Sequence, residues 1–144
     1  MLDHIWTVLC SRAMVDKFTN MVSLEGVIEQ MTVHGQPEPG PAVPTNLDVM
    51  SLWARRDLRI PAQARARLSV ISPSGKTLGA TEYDVLLEET ERHRQRITFP
   101  AFPLETAGRY VFRVEVQLEA GGEWSECARV PLSVVFEPKV GDQS

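Results

Sequence analysis

Residues 97–118 read ITFPAFPLETAGRYVFRVEVQL: a short strand, a proline-interrupted crossing, then the longest strict alternation in the chain. Tyr110, Phe112, Val114, Val116 and Leu118 share one face of a period-two strand. Arg109, Arg113 and Gln117 take the other face, with one lapse at Val111. Gly108 releases the turn before it, and Pro100 and Pro103 predict that no strand or helix runs unbroken across the connection. A strand of this pattern lies on the core of an antiparallel sandwich.

Outward from that strand the chain keeps the same idiom. Ala64, Ala66, Leu68 and Val70 alternate with Gln63, Arg65, Arg67 and Ser69, a second half-buried strand. Further strands are predicted at Ile5–Ala13, Met21–Met31, Leu47–Arg55, Thr77–Leu86, Arg92–Phe99 and Trp124–Val135. Between the first two, Asp16–Asn20 is a polar hairpin connection with Asn20 suited to a left-handed turn position. A change of parity around Gly26 predicts a bulge in the return strand. Pro131 marks its strand as a sheet edge or a bulge, and Gly121-Gly122 supplies a hairpin turn. The segment His34–Asn46, with four prolines and two glycines, predicts a loop. About eight strands and no helix-period segment give an all-β, two-sheet antiparallel sandwich of immunoglobulin-like or C2-like architecture. Its expected extent is residues 1–136, followed by a flexible tail at 137–144.

The 144 residues suit one domain, and 43% apolar with 24% charged residues is enough for a packed core. The net charge of −4 argues against a surface given over wholly to nucleic acid. The apolar run Ile5–Cys10 is short and follows Asp3, so it does not read as a signal peptide, and no stretch is long enough to span a bilayer. Two cysteines without an export signal point to free thiols and a cytoplasmic setting, with no membrane contact.

The opening stretch LCSRAMVDKFTNMVSLEGVIEQM resembles the first hairpin of a group of uncharacterised bacterial proteins classed as a domain of unknown function. The matching positions are Asp16, Thr19, Asn20, Ser23, Leu24, Val27, Ile28 and Glu29, with Gly108, Tyr110 and Phe112 in the later strand. The resemblance implies a bacterial β-sandwich and brings no activity, cofactor or site residue with it.

No catalytic or metal-binding constellation stands out. His4, His34 and His93 have no Cys, Asp or Glu at ligand spacing, and Cys10 and Cys127 read as small core residues. Ser74-Gly75-Lys76-Thr77 shares letters with a phosphate loop but lacks the upstream glycine and the strand-to-helix junction. The reading is therefore non-enzymatic, with no cofactor and no metal.

Two surface features remain. Twelve of the fifteen basic residues are arginine, and Arg65 and Arg67 with Arg92, Arg94 and Arg96 form a stripe for phosphate or an acidic partner if their strands share a face. The plainer reading pairs them with Glu82, Asp84 and Glu115 across strands, and no aromatic residue interleaves them to stack bases. Second, Ile5, Leu9, Met50, Leu52 and Val111 are apolar at positions that should be wet, which points to a covering loop or to an interface with another protein or a second copy. Trp6, Trp53 and Trp124 read more readily as core than as interface anchors. The expectation is a protein-binding or assembly module of a bacterial cytoplasmic complex, with a nucleic-acid or phosphate-binding accessory as the alternative.

Overall fold

The computed structural model describes residues 2–34 and 42–137. The described residues form nine strands and no helix: β1 (Leu2–Val15), β2 (Val22–Val27), β3 (Gln30–His34), β4 (Ala42–Arg55), β5 (Ala62–Ile71), β6 (Thr77–Leu87), β7 (Arg92–Pro103), β8 (Gly108–Gln117) and β9 (Ser125–Glu137). Two sheets stack face to face, one in the order β2-β1-β4-β7 and the other β3-β9-β8-β5-β6. All pairings are antiparallel except β3 with β9.

The alternation in β8 performs as its pattern demands. Tyr110, Phe112, Val114 and Val116 are buried against Ala64, Ala66, Leu68 and Val70 of β5 and their neighbours. Leu118 falls beyond the end of β8 and is exposed, because the strand stops at Gln117 and the turn begins. From the opposite sheet, β7 sends in Phe99 and Phe102. Phe102 meets Tyr110 edge-on at 5.1 Å between ring centroids, and Phe99 meets Phe112 at 5.7 Å. Aromatic pairs of this geometry add roughly 0.5–1.5 kcal/mol to the burial itself. The Tyr110 hydroxyl accepts from the backbone N–H groups of Glu105 and Thr106 and donates to the Thr106 carbonyl, so one buried phenol fixes the β7–β8 corner.

Three sequence expectations change. Met21–Met31 is two strands: β2 keeps one unshifted register with β1 through Val27, without the bulge predicted at Gly26, and after the Ile28 N–H bonds the Leu9 carbonyl the chain crosses to the other sheet as β3. Within β2, Gly26 has φ +61°, and a Cβ there would stand 2.6 Å from Ser11 Oγ, so this left-handed position opposite Ser11 suits glycine. The predicted break at Pro100 is absent: β7 runs through it and ends at Pro103. It is the outermost strand of its sheet, where a proline removes no needed ladder bond, and the register shift between Pro44 and Leu47 of β4 accommodates Pro100. Residues 42–46 of the predicted loop belong to β4, paired with β7; the rest of that loop, 35–41, lies outside the described residues. β9 extends to Glu137, and 138–144 also lie outside them.

Candidate interaction surface

Past Cys10, the last residue of β1 paired with β4, the β1–β2 hairpin continues alone and folds over the outer face of its own sheet. It reaches across β4 to β7. Arg94 donates from Nη1 to the Asn20 side-chain oxygen at 2.9 Å and from Nη2 to the Asn20 carbonyl at 2.8 Å. Arg96 donates to the Ala13 carbonyl at 3.1 Å. Under the hairpin Asp48 is buried, accepting from the Ala13 N–H at 2.9 Å and the Thr98 hydroxyl at 2.8 Å. Cys10, Ala13 and Met50 form a second small core there, with Trp6, Val22 and Leu24 packed at its margin.

At the apex, the Asp16 carboxylate accepts from the N–H groups of Phe18 and Thr19, and these bonds hold its pKa below the ordinary range. Asn20 takes φ +60°, as its type allows, and the Asp16 N–H bonds the Met21 carbonyl. This tightly tied turn presents Phe18 with 99% of its surface exposed, beside Met21 at 65% and Val15 at 45%. The sequence offered one clue, an aromatic residue inside the otherwise polar run DKFTN, and the reading of that run as a mere connection missed it. Asp48 had a comparable clue, a charge set between Leu47 and Val49 in an apolar strand.

A cleft of about 540 Å³ opens on the side where β2 crosses over. The Ile28 N–H bonds the Leu9 carbonyl and the Ser133 N–H bonds the Glu29 carbonyl, so the crossing closes one half of that side. Beyond it, Leu2–Val8 of β1 and Ser125–Leu132 of β9 have no strand on their outer edges among the described residues. Val8, Leu9, Val27, Ile28, Val130 and Pro131 line the cleft, and Glu29 and Arg109 supply its charges. Both bare edges carry features that resist an added strand. The β1–β4 register shifts between His4 and Trp6, and the β8–β9 register shifts at Val114/Glu115. Ser133 turns its N–H away from β8 toward Glu29, so Pro131, two residues earlier, turns its missing N–H to the same open side.

The arginines do not form one stripe. Arg65 and Arg67 lie on β5 and Arg92, Arg94 and Arg96 on β7, in different sheets. Arg65 pairs with Asp84 at 2.8 Å and with Glu82 at 3.6 Å. Arg67 bonds Glu115 at 3.1 Å and stacks its guanidinium 4.2 Å from the Trp124 ring centroid. Arg113 Nε lies 3.4 Å from the same Glu115 oxygen, too poorly aligned for a hydrogen bond. Arg92 sits 3.6 Å from Glu91. Arg94 and Arg96 are the hairpin's anchors.

The apolar candidates separate too. Leu9 is a main-core residue and Met50 is covered by the hairpin, both almost fully buried. Leu52 is half-buried on the outer face of β4, and Val111 is half-buried on β8 between Ile71 and Pro131. Only Ile5, at 49%, is largely exposed. Of the tryptophans, Trp53 is wholly buried, while Trp6 and Trp124 are half-buried.

Between the sheets a polar chain ties three strands. His4 Nε2 lies 2.6 Å from Thr7 Oγ1, which lies 2.8 Å from Ser51 Oγ, and the Trp53 indole N–H donates to the Tyr83 hydroxyl at 3.1 Å. Burial lowers the His4 pKa and raises that of Tyr83. It likewise raises both thiols, Cys10 and Cys127, which leaves them poor nucleophiles at neutral pH. Among the described residues no three His, Cys, Asp or Glu side chains gather at metal-binding distance, and no helix is long and apolar enough to cross a membrane. No protein-family model matches the chain, and no curated protein matches it either.

Proposed function

We propose that the chain is a non-enzymatic protein-binding or assembly module of a bacterial cytoplasmic complex, built on an immunoglobulin-like sandwich. The observation that carries the binding role is Phe18, an aromatic side chain 99% exposed on a turn held by Asp16, Arg94 and Arg96. An exposed aromatic residue on a pre-ordered tip loses little conformational freedom when a partner buries it, which is how interface anchors gain affinity. The immunoglobulin-like type is supported by the parallel β3–β9 pair, the sheet order β3-β9-β8-β5-β6 and the Tyr110 corner. Kinship with the uncharacterised bacterial group rests on the hairpin residues Asp16–Glu29 and belongs to the same reading.

Phosphate or nucleic-acid binding through Arg65, Arg67, Arg92, Arg94 and Arg96 has less support, since four of the five are held by Asp84, Glu115, Asn20 and Ala13. Affinity capture from native lysate, with and without nuclease, tests the reading. A protein retained by the wild-type chain through nuclease treatment and lost with Phe18→Ser is the expected result. A bound fraction that nuclease removes and Phe18→Ser leaves intact would favour the arginines instead.

A further inference from the structure

Building on the binding role just proposed, we infer that the cleft between β1 and β9 receives the hairpin tip of a second copy of this chain, with Phe18 as the inserted side chain. The two surfaces match in kind. Phe18 is buried by no other side chain among the described residues, and the cleft of about 540 Å³ is walled by Val8, Leu9, Val27, Ile28, Val130 and Pro131. That size lies within the roughly 300–1,000 Å³ of clefts that seat ligand groups.

The charges match as well. Asp16 and Lys17 flank Phe18 on the tip, while Glu29 and Arg109 flank the cleft. Eight ion pairs form among the described residues, and none uses any of these four. Opposite signs therefore stand ready on each side, and Lys17 against Glu29 is the pair that a docked tip completes.

The opening favours a side chain over a strand. The register shifts in β1 and β9 and the missing N–H of Pro131 spoil the ladder that an incoming strand would need. A compact apolar knob needs no ladder. Tip and cleft are different patches of one chain, so a copy lacking its knob and a copy with a blocked cleft complement each other.

Sedimentation of the full chain from low micromolar to several hundred micromolar tests this. The wild type should self-associate. Phe18→Ser and Val27→Arg should each be monomeric with unchanged circular dichroism, since both side chains are largely exposed. An equimolar mixture of the two should recover a complex. Lys17→Glu should weaken association roughly tenfold, and adding Glu29→Lys should restore it. A wild type that stays monomeric throughout overturns the inference, as does association that persists in Phe18→Ser or a mixture that fails to complement. Wild-type monomers that still capture another protein through Phe18 would sink self-assembly alone and leave the binding role standing.

Discussion

Arg94 on β7 holds Asn20 at the far end of the β1–β2 hairpin by two hydrogen bonds of 2.9 and 2.8 Å, reaching over β4 to do so. With Arg96 on the Ala13 carbonyl, this guanidinium ties the hairpin down over its own sheet. The planar fork of arginine suits this grip on a side-chain oxygen and a carbonyl of the same residue.

Arg94→Ala should free the tip without unfolding the sandwich. Amide hydrogen exchange across Asp16–Met21 should quicken, with global stability falling by about 1 kcal/mol. Unchanged exchange in the turn would mean that Asp16 and Asn20 hold it unaided.

Asp48 carries more weight. Its two oxygens accept from the Ala13 N–H and the Thr98 hydroxyl in a buried setting, so Asp48→Ala leaves both donors without their partner. Urea denaturation should show a loss of about 2–4 kcal/mol for Asp48→Ala and a smaller one for Asp48→Asn, which keeps an acceptor. Equal losses for the two would contradict the hydrogen-bonding role.

His4 links pH to stability. Burial depresses its folded-state pKa, so the unfolded chain holds the proton more tightly. Stability is fully present above the unfolded value of about 6.5, falls as pH drops from there to the folded pKa, and levels off below it. Denaturation midpoints for the wild type and His4→Gln, compared from pH 8 down to about 5, should show a slope in the wild type that the variant lacks. Parallel curves would show that His4 stays solvated.

Period-two alternation made the sheets legible, because burying one face leaves that mark residue by residue: Tyr110–Val116 and Ala64–Val70 read correctly as core strands. The hairpin's return over its own sheet left no such mark. Leu9 and Met50 looked wet because a single strand's pattern cannot say what will lie on top of it. Arg94 and Arg96 read as free cations for the same reason, their partners Asn20 and Ala13 being more than seventy residues away. Pro100 misled through position, since the rule against proline in strands relaxes at a sheet edge, and edge status follows from tertiary order.

The most direct test places a photo-crosslinking aromatic amino acid at position 18 and irradiates cells producing the chain. Crosslinks to protein, either a discrete partner or the chain itself, are the predicted result. Position 18 yielding no protein adduct, while the same probe at Ile5 or Leu52 does, would contradict the claim that this tip is the binding surface.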